Sequence, residues 1–208
     1  MQYQQISYFI QRRGMALLAF AFPAVFIASS LIGHTDFQVS LSAYYWTKLF
    51  EKHFFVGMLT AIGVYLILHK GYSTPEDVLL DVGGVCAIGV AFVPTGEGAT
   101  CAADYSLHGI FAMIFFACIF AVAIFLAKYS LARMTDPVMK AKYFKIYALI
   151  SIIMIGTIVA TAIMRILPED LSWRLCEQGW TLWLETIGIW TFAAFWWWKT
   201  KELDSSAA

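Results

Sequence analysis

Charged residues are scarce in this chain of 208 residues, because Asp, Glu, Lys and Arg together account for only 13% of it. Soluble domains carry about 25% charged and about 45–50% apolar residues. Here 61% of the residues are hydrophobic and the mean hydropathy is +0.71. A soluble domain of this length could not bury so much apolar surface. The composition therefore predicts an integral membrane protein.

Several motifs of enzyme chemistry are absent. No CxxC pair is present, so neither a thiol oxidoreductase nor a zinc knuckle is indicated. There is no GxxxxGK[ST] motif, no dinucleotide fingerprint and no GxSxG elbow, which argues against nucleotide use and against a serine hydrolase. Lys and Arg number 14, as do Asp and Glu, so the basic surface that a nucleic-acid partner requires is missing. The duplicated halves typical of secondary transporters are also missing.

Six long apolar runs are present, each close to the roughly 20 residues that a membrane helix needs. They lie near 14–33, 50–68, 78–95, 106–127, 144–166 and 180–198. The runs are continuous and do not alternate as barrel strands do, so they predict an all-α, polytopic membrane protein. We expect residues 1–208 to form a single six-helix transmembrane domain.

Basic residues in short loops predict the orientation of the spans, because they favour the cytoplasmic side. Ten lie at the end that holds both termini: Arg12, Arg13, Lys70, Lys128, Arg133, Lys140, Lys142, Lys145, Lys199 and Lys201. Four lie at the other end: Lys48, Lys52, Arg165 and Arg174. We therefore expect both termini in the cytoplasm, and the loops 34–49, 96–105 and 167–179 on the outer side.

Polar residues collect at the outer ends of the predicted helices, where ionisable groups near a membrane are candidates for function. Asp104 and His108 lie four residues apart and share one helical face, and Glu185 lies about a turn and a half inside the sixth span. With the first outer loop they predict an outward-facing polar pocket. Its candidate residues are Ser42, Tyr44, Tyr45, His53, Asp104, His108 and Glu185.

Two cofactors are compatible with the histidines at this end. His34, His53 and His108 could bind Zn²⁺ through ring nitrogens, with an open position that activates water, but no two of them have a spacing such as HxxxH. A single b-type haem needs two axial histidines from facing helices, and His53 and His108 lie at comparable depth. The alternative is that each histidine is an ordinary interfacial side chain.

Acidic and small residues within the spans indicate how the helices pack. Asp81 is expected to pair with Lys70 or Lys145, which would relieve the cost of a charge in hydrocarbon. Glu185 could pair with Arg165 or hydrogen-bond to His108. Small residues allow membrane helices to approach closely, and the third span offers Gly83, Gly84 and Gly89.

Four cysteines divide into two pairs by position. Cys86 and Cys118 lie within spans, where free cysteines commonly pack as small apolar groups. Cys101 and Cys176 lie in different outward loops and could form a disulfide if the outer side is oxidising. The alternative is two unpaired loop thiols.

Short segments of the first four spans follow the pattern SxYY…FVG…GVAxxPT…LH. They are Ser42-Ala43-Tyr44-Tyr45, Phe55-Val56-Gly57, Gly89-Val90-Ala91, Pro94-Thr95 and Leu107-His108. Over roughly residues 40–115 the chain thereby resembles a family of small bacterial six-helix integral membrane proteins of uncharacterised activity. The resemblance implies an inner-membrane location and a shared outward site that includes His108. At the position of His53 it implies a carboxylate or amide, which argues against a metal or haem role there.

A more distant analogy connects the chain with the alkaline ceramidase and adiponectin receptor superfamily of membrane hydrolases. Those proteins place a Ser, an Asp and three His around zinc in a seven-helix bundle. This chain has six predicted spans and lacks their paired C-terminal HxxxH, so the comparison is an analogy of style alone.

Three functions are compatible with these observations. The leading interpretation is a polytopic inner-membrane protein whose outward pocket binds a lipid headgroup or a small molecule. The second is a metal-dependent membrane hydrolase that uses the same pocket, with histidine ligands and Glu185 or Asp104 as base. The third is a structural or accessory subunit that docks on a membrane protein partner through its aromatic faces.

Overall fold

The computed structural model describes residues 2–96 and 107–207, with all of their side chains except those of residues 2–7, 126, 165 and 203–207. Every regular element in these ranges is helical, which confirms the all-α prediction. The helices are α1 (Gln2–Leu31), α2 (Leu49–Leu68), α3 (Thr74–Phe92), α4 (Leu107–Ala121), α5 (Ala127–Leu131), α6 (Pro137–Ile166), α7 (Glu169–Glu177) and α8 (Trp180–Ala207), with a short 3₁₀ helix at Ser42–Trp46.

Local sequence explains several helix ends. Asp136 precedes α6 and accepts hydrogen bonds from the backbone N–H groups of Val138 and Met139, while Pro137 occupies the first helical position, as in many helix starts. Gly179 separates α7 from α8 with a φ of 78°, a left-handed conformation that favours glycine. A single π-helical turn joins α4 to α5, so the two run as one long helix.

Four helices in the described part of the chain are long and apolar enough to cross a membrane. They are Tyr8–Leu31, Leu49–Leu68, Leu107–Leu131 and Pro137–Met164. The other two long helices, α3 and α8, fall outside this set. α3 carries Glu76, Asp77 and Asp81 within 19 residues. α8 is rich in tryptophan, whose hydropathy is slightly polar, and carries charged residues toward its end.

The six long helices form a closed ring of neighbours. α1 packs against α2 and α8, α3 packs against α2 and α4, and α6 packs against α4 and α8. α3 and α8 therefore occupy full positions in the bundle although they are less apolar. The helices also extend beyond several predicted runs, because polar residues at their ends continue the helical hydrogen bonds without adding hydropathy.

Two elements lie in loops that the hydropathy pattern left without secondary structure. The 3₁₀ helix Ser42–Trp46 lies in the loop between α1 and α2 and buries Ser42, Ala43 and Tyr44. The short helix α7 lies between α6 and α8 and is strongly amphipathic. A helix of nine residues is too short to span a membrane, so hydropathy alone does not indicate it.

Candidate functional site

A partly open cavity of about 60 Å³ lies inside the bundle, and three of the predicted pocket residues line it. Ser42, His108 and Glu185 supply its polar groups, and the rest of its wall is apolar. The apolar lining consists of Phe22, Leu41, Phe55, Leu59, Ile62, Ala87, Val90, Ala112, Phe115, Phe116, Ile189 and Phe192. Residues from the loop between α1 and α2, from α4 and from α8 thus line one cavity.

Glu185 holds the loop between α1 and α2 against α8. Its Oε2 atom accepts a hydrogen bond from the backbone N–H of Leu41 at 2.6 Å, and one turn earlier the N–H of Leu182 donates to the carbonyl of Val39 at 3.0 Å. These two contacts bring Ser42, at the start of the 3₁₀ helix, to the cavity. The sequence indicated Glu185 as a candidate but not this contact with the loop backbone.

His108 lies in the first turn of α4 and is buried. Its Nδ1 atom lies 2.6 Å from the carbonyl oxygen of Val93, just beyond α3. A carbonyl oxygen only accepts hydrogen bonds, so Nδ1 carries the proton and donates to it. The contact links α3 to α4 and orients the imidazole ring at the cavity.

The other predicted pocket residues lie elsewhere. Tyr44 is fully buried, stacks on Phe26 at 4.7 Å between ring centres, and forms a 2.6 Å hydrogen bond with Ser30. Tyr45 packs against Phe55 and beneath the ammonium group of Lys52. Neither tyrosine lines the cavity, because consecutive residues of a helical turn point in different directions. Asp104 lies outside the described residues.

The three histidines predicted as metal ligands are not brought together. His34 Nε2 lies 3.6 Å from Oε1 of Glu51, His53 is exposed on α2, and His108 is held by Val93. Within the described ranges there is no group of three His, Cys, Asp or Glu side chains that could hold a metal ion. Neither the zinc set nor the haem pair of His53 and His108 gains support from this arrangement.

Glu51 is a buried polar residue that the predicted pocket did not include. It lies in the first turn of α2 with no exposed surface, and its Oε1 accepts a hydrogen bond from Ser29 of α1 at 2.7 Å. Its second carboxyl oxygen is buried without a hydrogen-bond partner. A carboxylate in the first turn of a helix is favoured by the helix dipole, and this position was the available signal in the sequence.

Charged side chains lie close together at the opposite end of the bundle, and the basic ones among them were expected in short loops. Three cations surround the ring of Tyr72: the Cζ atoms of Arg12 and Arg133 lie 5.5 and 4.7 Å from its centre, and Nζ of Lys199 lies 5.6 Å away. We call this group, together with the neighbouring carboxylates, the Tyr72 cluster. Its members are Arg12, Tyr72, Glu76, Arg133, Lys199 and Glu202.

Burial distinguishes the members of the Tyr72 cluster. Arg12, Glu76, Lys199 and Glu202 are each no more than 4% exposed, whereas Arg133 is exposed. Lys199 lies 3.4 Å from the carboxylate of Glu202. From the sequence these residues would be taken as solvated helix ends. Their burial cannot be predicted in that way, because it depends on how the helices pack against one another.

The pairing expected for Asp81 is wrong. Asp81 forms no ion pair with Lys70 or Lys145 in the described part of the chain, and its Oδ1 atom is buried without a hydrogen-bond partner. Both lysines are exposed, where their ammonium groups stay hydrated. The alternative pairing of Glu185 with Arg165 involves a side chain outside the described set.

The cysteines agree with the predicted division where the structure describes them. Cys86 and Cys118 are free and buried. Cys176 is buried in α7 and is disulfide-bonded. Its expected partner, Cys101, lies outside the described residues, so the specific pair stays a prediction.

Comparisons with known proteins returned nothing: no family model, no curated protein and no solved structure matches this chain.

Proposed function

We propose that this chain is a polytopic inner-membrane protein that binds an amphipathic small molecule at its outward end. The observation that carries the proposal is the cavity itself, in which Ser42, His108 and Glu185 stand against an otherwise apolar wall. Binding sites for small molecules are typically apolar with a few converging polar groups. The polar groups would hold the head of the ligand, and the apolar wall would hold the carbons next to it.

The charge of the lining favours a particular class of head. Glu185 supplies the one carboxylate, and no Lys or Arg is among the described residues that line the cavity. A phosphate would meet like charge in a poorly hydrated site, which is unfavourable. We therefore propose a hydroxyl or ammonium head. A volume of about 60 Å³ holds such a head and a few carbons, and a longer chain would extend through the opening.

The proposal includes six membrane-spanning helices with both termini in the cytoplasm. Four helices qualify by length and apolarity. α3 and α8 each have two neighbours among the long helices, which supports their crossing alongside the others. The bias of basic residues toward one end supports the orientation, and the resemblance to small bacterial membrane proteins supports the inner membrane.

Oleyl alcohol, oleylamine and oleyl phosphate test this proposal, because they share one chain and differ only in the head. Each is titrated into protein purified in a neutral detergent, and the midpoint of thermal unfolding is followed. A ligand that binds the folded state raises this midpoint. We expect the alcohol or the amine to raise it, the phosphate to have no effect, and His108→Ala to reduce the apparent affinity by about tenfold, as for loss of a hydrogen bond in a buried site.

His53→Ala is the matched control, because it removes a histidine from the same end of the bundle at an exposed position. It should respond to the ligands as the wild type does. Equal responses of the His108 and His53 variants, or a response to oleyl phosphate alone, would contradict the proposal.

A further inference from the structure

The Tyr72 cluster has the composition of an anion-binding site. Three cations lie within 6 Å of one ring centre, so no two of their charged groups are separated by more than about twice that distance. Arginine guanidinium groups recognise phosphate through paired hydrogen bonds. Basic pockets between membrane helices are a recurrent way of binding phosphate headgroups.

The carboxylates of the cluster do not neutralise its arginines. Glu202 is engaged by Lys199 at 3.4 Å and accepts a hydrogen bond from Tyr147. Glu76 accepts a hydrogen bond from the backbone N–H of Tyr72 at 2.9 Å. Neither Arg12 nor Arg133 has a carboxylate within ion-pair distance among the described residues. Glu202 is thus matched by Lys199, whereas both arginines remain available to a bound anion.

Arg12 is a buried group with unused hydrogen-bonding capacity. It is 2% exposed, and one of its terminal nitrogens donates to the carbonyl of Lys199 at 3.1 Å, but its Nε–H has no partner. A buried donor without a partner destabilises the folded protein, and a bound acceptor would remove that cost. Arg133, in contrast to Arg12, is exposed, so a ligand can reach the cluster from the surface.

We propose that the Tyr72 cluster binds the phosphate group of a phosphodiester, with Arg133 as the first contact and Arg12 as the buried one. The cluster takes side chains from α1, the start of α3 and α8, and from the loops that precede α3 and α6, at the end of the bundle that carries most of the basic residues. The phosphate could belong to an anionic phospholipid of the adjoining leaflet or to a free phosphate compound. This inference is independent of the cavity at the other end.

Dioleoyl phosphatidylglycerol, dioleoyl phosphatidylcholine and inorganic phosphate separate the two sources. Each is titrated into the purified protein in a neutral detergent, and the thermal unfolding midpoint is followed. We expect phosphatidylglycerol to raise the midpoint, and phosphatidylcholine, whose phosphate is balanced by choline, to raise it much less. Arg133→Gln should need about tenfold more phosphatidylglycerol for the same shift, since it loses charged hydrogen bonds.

Lys140→Gln is the control, because Lys140 is exposed at the start of α6 and its replacement removes the same charge at the same end. It should behave as the wild type does. If inorganic phosphate reproduces the shift with the same dependence on Arg133, the site stands and its ligand is a free phosphate compound. If the two variants respond alike, or if neither phosphatidylglycerol nor phosphate shifts the wild type, the proposal is overturned.

Discussion

His69 shows how strongly the tertiary structure can change the chemistry of one residue. It follows α2 directly, has no exposed surface, and contacts the rings of Tyr8 and Trp196 edge to face. Neither ring nitrogen has a hydrogen-bond partner. Burial, together with the charges of Arg12, Lys199 and Lys70, lowers the pKa of His69 from 6.5 to about 3. The imidazole is therefore neutral at physiological pH.

This shift predicts a loss of stability in acid. The unfolded chain binds a proton on His69 near pH 6.5 while the folded chain stays unprotonated down to about pH 3, so stability falls as the pH drops through this window. At pH 5 the loss is about 2 kcal/mol. Thermal unfolding of wild type and His69→Leu at pH 7.5 and pH 5 measures it, and the variant should show a smaller dependence.

His53→Leu serves as the reference for this measurement, because it removes an exposed histidine of the same helix. Its unfolding midpoint should change with pH as in the wild type. A His69→Leu protein with the full wild-type pH dependence would assign the acid sensitivity to other groups.

At the scale of the elements, glycines allow the backbones of α2 and α3 to approach each other closely. A Cβ atom at Gly63 would lie 2.6 Å from the carbonyl oxygen of Gly84, and a Cβ at Gly84 would lie 2.6 Å from that of Gly63. The expected closeness at Gly84 is confirmed, while Gly83 has ordinary spacing, with its nearest neighbour at 3.4 Å. The contribution of Gly63 was not predicted, because the sequence of one helix does not show which of its residues face a glycine of its neighbour.

Replacement of Gly63 by alanine should destabilise the protein by about 1–3 kcal/mol, because the new methyl group meets backbone rather than a movable side chain. Gly57→Ala, in the same helix, has open space around the new methyl group and should be neutral or stabilising by up to about 1 kcal/mol. Unfolding in a denaturing detergent titration compares the two. Equal stabilities would show that α2 and α3 separate at little cost.

At the scale of the whole molecule, the question is how many of the six long helices cross the membrane. If all six cross, the number of crossings is even and both termini lie on the same side. α3 and α8 lack the apolarity of the other four, but their neighbours in the ring are helices that qualify as spans. Charged residues of α3 and α8 lie in the Tyr72 cluster at one end, where a membrane interface would tolerate them.

Alkaline phosphatase fusions measure this topology, because the enzyme is active only outside the cytoplasm. A fusion after residue 100 should be active and a fusion after residue 137 inactive. If α3 did not cross, the first fusion would be inactive. The reverse pattern would invert the orientation and remove the oxidising environment expected for Cys101 and Cys176.

The sequence by itself determined that the protein is helical and belongs in a membrane, because hydropathy is a sum over neighbouring residues. It also predicted that His108 and Glu185 lie in one pocket, and both line the same cavity. The tertiary structure decided that Ser42 joins them while Tyr44 packs elsewhere, that His53 is exposed, and that the Tyr72 cluster exists. α2, α4 and α8 show little asymmetry between apolar and polar faces, so their rotation and register are set by packing between helices and cannot be read from any one segment.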